Sequence, residues 1–303
     1  MSASHITRRR LLAAAAALPL AHAAHAAAPL MGASAAIHRR IVLGDFEVTT
    51  LLAGTMPRED PHSIFGLDVD EAAFRQVARD ALLPVDVAQF FFTPTLVNTG
   101  EALVLFDTGL DPASITSALK AAGYSADQVD IVVLTHMHGD HIGGLRSDGG
   151  ATFTNARYIA GTAEYDHWAA AGNETFDAKM RPLAEQTTMI AAGDDAAPGI
   201  TAVEAFGHTP GHMAYRIESA GKTLLIAADF ANHPVFSLEQ PDWEVKFDMD
   251  KPAAAATRRK LLDMLVAERM PFIGYHMPFP AMGYVEARGG GYGYVPESYQ
   301  LRI

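Results

Sequence analysis

Cysteine is absent from the 303 residues. Its absence excludes disulfide bracing, thiolate metal sites, iron–sulfur clusters and a cysteine nucleophile. Bases are scarce: 23 Lys and Arg stand against 35 Asp and Glu, a formal charge of −12. A nucleic-acid binder needs a basic face to neutralise phosphates, so this balance argues against that partner. The strand-to-helix signature Gly-x-Ser-x-Gly, which presents a serine nucleophile, does not occur. Beyond the N-terminal stretch no segment is long and apolar enough to span a bilayer. What the chain does have is a 49% hydrophobic content and 13 histidines. The first is the composition of a globular protein with a sizeable core, in one large domain or two small ones.

The N-terminus carries an address. Thr7-Arg8-Arg9-Arg10 runs into a Leu- and Ala-rich stretch, and small-residue sites of the A-x-A type follow at residues 21–23 and 24–26. This is the layout of a secretory signal, and the paired arginines resemble a twin-arginine export signal. The expectation is that residues 1–26 are removed, 27–40 form a flexible N-terminus and 41–303 form one domain. The protein would then be periplasmic or secreted, with no stable membrane insertion after cleavage. A route that exports folded proteins suits a chain that takes up metal first.

From residue 41 onward, strand and helix signals interleave. Residues 41–52 alternate and are β-rich, and 68–83 have helical spacing. Residues 95–98 and 102–106 flank the hairpin signal Thr99-Gly100-Glu101. Asp111-Pro112 starts a helix that Gly123 stops. Residues 131–134, 201–206, 214–218, 223–228 and 272–275 read as strands, and 253–267 as a helix. The glycine-rich stretch 289–294 is a hairpin turn or a flap. The class is α/β, or α+β.

The informative segment follows the strand at 131–134. His136, His138, Asp140 and His141 lie within six residues, with Gly139 among them. They cannot all face one point on a regular helix or strand, but on a tight loop they can share a space. Neutral imidazole and carboxylate are the ligands that borderline divalent metals prefer. Further candidates each end an apolar run: His208 in Gly207-His208-Thr209-Pro210-Gly211-His212, Asp229, and His276. Asp107 ends another and opens Asp-Thr-Gly, where it could accept a hydrogen bond from a ligand histidine.

His-x-His-x-Asp-His, then Gly-His-Thr-Pro-Gly-His, then an Asp and a late His, resembles the metallo-β-lactamase-fold hydrolase superfamily. The resemblance implies a four-layer αββα sandwich, its halves related by a pseudo-twofold axis, with metals at one edge. It implies His136, His138 and His208 on one metal, Asp140, His141 and His276 on a second, and Asp229 bridging them. Asp107 matches the family's early Asp-Thr-Gly. The oxygen-reducing diiron branch places Glu where this chain has His138, which disfavours redox chemistry. Trp243 to Asp248 and Gly274 to Pro280 resemble the branch of methyl parathion hydrolase and related exported arylesterases and lactonases. The acyl-homoserine lactonases of the fold place a Tyr three residues after the bridging Asp, where this chain has Asn232 and then His233.

Two divalent ions sharing a hydroxide would supply a nucleophile at neutral pH and polarise a carbonyl or phosphoryl oxygen. Zinc leads as the cofactor, with Mn, Fe and Co accepting the same ligands. Asp140 is expected to orient the nucleophile or shuttle a proton. His212 is either a donor near the leaving group or a hydrogen-bonded structural residue. Asn232 or His233 would take over as substrate donor, or His233 would cap a loop. At least one of Phe90, Phe91 and Phe92 is expected in the cleft, Phe91 first, with Phe65, Trp168 and Phe279 as further lining. The expected partner is a small apolar ester, lactone or organophosphate triester. A glyoxalase II-like thiolesterase, a β-lactamase and an inactive metal-binding protein remain alternatives, and a homodimer is compatible with the sequence.

Overall fold

Short apolar runs bounded by glycine and turn residues fold as strands, which collect into two seven-stranded sheets in a computed structural model describing residues 36–301. The expected signal, residues 1–26, and the stretch up to residue 35 lie outside the described residues.

The chain runs through β1 (His38–Leu43), β2 (Phe46–Leu51), β3 (Gly54–Glu59), α1 (Glu71–Asp80), β4 (Val87–Phe92), β5 (Thr95–Asn98) and β6 (Leu103–Phe106). Then come α2 (Pro112–Ala121), β7 (Ile131–Leu134), α3 (Gly139–Ile142), β8 (Arg146–Ser147), β9 (Gly150–Ala151) and β10 (Arg157–Gly161). Helices α4 (Thr162–Ala171) and α5 (Glu174–Lys179) lead to β11 (Thr187–Ile190), β12 (Asp195–Ala197), β13 (Ile200–Glu204) and β14 (Met213–Ser219). The last part holds β15 (Lys222–Ala228), a π-helical turn (Pro234–Glu239), α6 (Lys251–Glu268), β16 (Phe272–Gly274), β17 (Met282–Arg288) and β18 (Gly291–Pro296).

The first sheet has the order β1-β2-β5-β6-β7-β10-β11 and the second β12-β13-β14-β15-β16-β17-β18. In β6, Val104 and Phe106 join the core shared by the two sheets, while Leu103 and Leu105 join the cluster that contains α2, α4 and α5 residues. β7 splits the same way, with Ile131 and Val133 on one side and Val132 and Leu134 on the other. Burial on both faces explains why these strands read as unbroken apolar runs. Leu261, Leu262 and Leu265 of α6 pack onto the second sheet, which completes the layers helix, sheet, sheet, helix. The fold is the αββα sandwich expected from the motifs.

Two boundaries differ from expectation, and the hairpin alternative holds at a third place. The segment 41–52 is two strands, because Gly44 at φ 61° turns the chain between them. Residues 38–40 belong to β1 rather than to a flexible terminus. They pair with Thr49, Thr50 and Leu51, Arg39 forms an ion pair with Glu297, and Arg40 Nη2 donates to the Ala122 carbonyl at 2.7 Å. The stretch 289–294 contains the turn of the β17–β18 hairpin. A third apolar cluster, with Phe74 of α1, Phe90 and Phe92 of β4, and Phe236, sits beside the sandwich and carries the β3–β4 hairpin. Among the described residues no helix is long and apolar enough to cross a membrane.

Candidate metal centre

The candidate ligands all follow strand ends. His136 and His138 lie just past β7, and Asp140 and His141 occupy the single turn of α3. His208 follows β13, Asp229 follows β15 directly, and His276 lies two residues past β16. Gly207 makes the approach of His208 feasible: at φ 125° its absent Cβ would sit 2.3 Å from the Ala254 backbone nitrogen of α6.

The donor atoms converge. His138 Nδ1 lies 3.1 Å from both His136 Nε2 and His208 Nε2. His276 Nε2 lies 3.3 Å from Asp140 Oδ2 and 3.0 Å from Asp229 Oδ2. Asp229 also approaches His208 Nε2 through Oδ2 at 3.5 Å and His141 Nε2 through Oδ1 at 3.4 Å. A tetrahedral ion with metal–ligand distances of about 2.0–2.1 Å requires ligand atoms about 3.3–3.4 Å apart, close to these separations. His141 Nε2 and Asp229 Oδ1 are buried with no hydrogen-bond partner. Orphaned donor atoms of this kind, in a cluster built only of imidazole and carboxylate, fit divalent metal ions.

The far side of four of the five rings is held. His141 Nδ1 donates to Asp107 Oδ2 at 2.8 Å, and Asp107 Oδ1 accepts from the Thr135 backbone N–H at 2.9 Å. His136 Nδ1 reaches Thr135 Oγ1 at 3.1 Å, and that hydroxyl donates to Asp107 at 2.8 Å. His208 Nδ1 donates to Asp248 Oδ1 at 2.9 Å, and His276 Nδ1 to the Phe91 carbonyl at 2.8 Å. These partners fix which ring nitrogen faces the centre.

Without cations the cluster divides its charge. Burial, with the neighbouring His208, lowers His138 to about 3, and burial likewise holds His136 well below its ordinary value. His276 behaves oppositely. Burial works to lower it, but Asp229 and Asp140 outweigh that and raise it to about 10. Burial would raise Asp140, yet His141 and His276 bring it to about 2.

The remaining expected residues fall in two groups. Phe90 and Phe92 line the cleft over the cluster, together with Arg58 and the part-exposed Phe247. Phe91 does not, because strand alternation turns its side chain to the other face of β4, and only its carbonyl serves the site. Trp168 is 8% exposed and lies behind His138, with Nε1 bonded to Glu164 at 2.6 Å. Phe65 is fully buried in the third apolar cluster, and Phe279 stands outside the cleft.

His212 is enclosed by backbone: Nδ1 faces the Ala205 carbonyl and Nε2 accepts from the Asp229 N–H, each at 3.1 Å. Both nitrogens are taken, so it has no donor left for a leaving group. Asn232 turns inward and donates to Asp229 Oδ2 at 3.0 Å. His233 caps the π-helical turn by accepting from Val235 and Phe236 N–H. Glu164, Asp248, Arg258 and Arg58 carry roles that the sequence reading did not assign. Asp248 and Arg258 lie about 110–120 residues from the His136 loop, and nothing in their local sequence marks them as its neighbours.

A helix–sheet–sheet–helix sandwich with a His/Asp cluster at its strand ends defines a class of metal-binding proteins. The chain belongs to the metallo-beta-lactamase superfamily, whose family profile matches residues 93–271. An N-acyl homoserine lactonase of Bacillus thuringiensis is 30% identical over 161 residues, which is 52% of this chain and 60% of that protein. One from Bacillus cereus is 28% identical over 164 residues, 53% of this chain and 61% of its own length. The chain thus spans less than two thirds of the length of these curated relatives. Among solved structures, the dizinc quorum-quenching lactonase AidC, complexed with a product, superposes with a TM-score of 0.80 at 25% identity. That match covers 87% of this chain and 98% of AidC. The hydrolase AbOPH superposes with a TM-score of 0.81 at 25% identity, covering 88% and 100%.

Proposed function

We propose that this protein is a hydrolase of small apolar lactones and esters that holds two divalent cations, zinc foremost. The observation that carries this reading is Asp229, one carboxylate facing both groups of ligands. His136, His138 and His208 would hold one cation, Asp140, His141 and His276 the other, with Asp229 shared. Such cations, when bound, lower the pKa of water and polarise the substrate's carbonyl or phosphoryl oxygen.

The chain's own residues supply the rest. Asp140 is the open carboxylate of the cluster, its side chain 24% exposed toward the cleft. It takes the proton of the attacking water as the acyl carbon–oxygen bond forms, and returns it to the alkoxide as the ester bond breaks. Phe90, Phe92 and Phe247 give the substrate an apolar wall, and Arg58 adds a cation at the same cleft. Relatives named N-acyl homoserine lactonases support a lactone substrate. Asn232 favours a second reading, aryl esters or organophosphate triesters. It is buried and turned onto Asp229 rather than into the cleft, at the position where a lactonase of the fold has Tyr. The resemblance to the methyl parathion hydrolase branch points the same way.

Initial rates on an acyl-homoserine lactone, an aryl ester and an aryl phosphotriester, each with and without chelator, test this. Chelator-sensitive turnover of one class, restored by zinc, is expected. No turnover of any, from protein shown to carry metal, would overturn the reading and bring thiolester and β-lactam substrates forward. We further propose that residues 1–26 direct twin-arginine export. Replacing Arg8 and Arg9 by Lys should then retain the protein in the cytoplasmic fraction, and unaltered export would refute that route.

A further inference from the structure

Glu164 stands in the first turn of α4, 1% exposed, and all four of its partners are neutral donors. Oε1 accepts from the Met137 backbone N–H at 2.9 Å and from Trp168 Nε1 at 2.6 Å. Oε2 accepts from the Thr209 hydroxyl at 2.7 Å and the Gly211 N–H at 2.9 Å. Met137 lies between His136 and His138, and Thr209 follows His208. One buried carboxylate therefore joins the loop after β7, in the first sheet, to the loop after β13, in the second. The approach is tight: a Cβ on Gly211 would lie 2.1 Å from the Glu164 nitrogen. Trp168, held by the same oxygen as Met137, places its ring 5.7 Å from His138.

We infer that Glu164 is a positioning residue for the three-histidine metal site, setting the spacing of His136 and His138 against His208; the inference rests on the metal reading above. Those three rings come from two loops that share no strand, and their donor atoms must stay within a few tenths of an ångström to hold one ion. A buried carboxylate without a counter-cation is costly, and four aimed donors are what make it tolerable. Glutamine cannot replace it. Its amide nitrogen donates, so either the Met137 and Trp168 pair or the Thr209 and Gly211 pair would face another donor.

The test is zinc titration of metal-free protein against a chromophoric chelator, with thermal unfolding recorded in parallel. Wild type, Glu164→Gln and Thr209→Val are compared, each also in a His276→Ala background that leaves the three-histidine site intact. Partners behind metal ligands typically govern about tenfold to hundredfold in affinity. Glu164→Gln should weaken the three-histidine site by about that factor and Thr209→Val by less, with the other ion held within about twofold. In Co(II)-loaded protein the visible bands of that site should shift. Unchanged zinc affinity in Thr209→Val and in folded Glu164→Gln, whatever the melting temperature, would overturn the inference. So would equal weakening of both ions. If Glu164→Gln does not fold, Thr209→Val alone decides. Wild-type protein that takes up no zinc would instead overturn the metal reading, an outcome visible without any variant.

Discussion

Asp248 Oδ1 accepts from His208 Nδ1 at 2.9 Å, and its other oxygen meets Arg258 Nη2 at 2.7 Å. Burial would raise the Asp248 carboxyl, but the bonds from His208 and Arg258 hold it below the usual carboxylate range. The ring of His208 is thereby fixed with Nε2 toward His138 and Asp229. Asp248→Ala should lower zinc affinity by about tenfold to hundredfold, read by chelator competition on folded protein. An unchanged affinity would show that the Gly207 turn alone orients the ring.

Arg258 is fully buried, and besides Asp248 it donates to the Phe230 carbonyl at 3.0 Å and the Pro241 carbonyl at 2.8 Å. Removing one partner of a buried ion pair leaves a charge without compensation. Arg258→Met should therefore lower the unfolding free energy by about 3–5 kcal/mol. Urea unfolding of the metal-free protein measures this. A loss near that of a surface substitution would mean that water replaces the guanidinium.

The ligands were legible in the sequence because ligation imposes a pattern that packing does not explain. Four histidines and aspartates in six residues after an apolar strand have no place in a core. Their supports were not legible. Arg258 lies in Thr257-Arg258-Arg259-Lys260, where nothing local separates the buried arginine from Arg259, which is half-buried beside Asp242. The parity of Phe90, Phe91 and Phe92 depends on which face of β4 meets the cleft. The partner strand β3 sets that face, and its Met56-Pro57-Arg58-Glu59 stretch carries no strand signal. The resemblance to the lactonases of the fold singles out Asn232, three residues after Asp229, but the direction of its side chain depends on the chain path into the π-helical turn.

Phe247 and Phe279 make a controlled pair for the cleft. Phe247 is 36% exposed and packs edge-on to Phe90 at 6.3 Å, whereas Phe279 stands outside. Phe247→Ala should raise KM for an apolar substrate about fivefold, since part of an aromatic side chain's burial contributes about 1 kcal/mol. Its kcat should be little changed, and Phe279→Ala should match wild type. Equal KM values for the two variants would place the substrate elsewhere.

His233 gives the fold a dependence on acid that is separate from the ligands. Its Nδ1 accepts from Val235 and Phe236 N–H, each at 3.1 Å, and the ring stacks on Phe236 at 4.3 Å. Burial lowers its pKa to about 3. Above the ordinary histidine value of about 6.5 the folded and unfolded chains are both neutral here, so stability is unaffected. As pH falls through 6.5 the unfolded chain takes up the proton and the folded one does not, so stability declines until the folded ring titrates near 3. Between pH 7 and 5 this contributes about 1–2 kcal/mol, after a discount for the part of the ring that reaches solvent. His233→Asn keeps an acceptor at the cap and removes the titration. Urea unfolding at both pH values should show wild type losing that much more stability than His233→Asn. Parallel losses would mean that protonated His233 finds another arrangement in the folded chain.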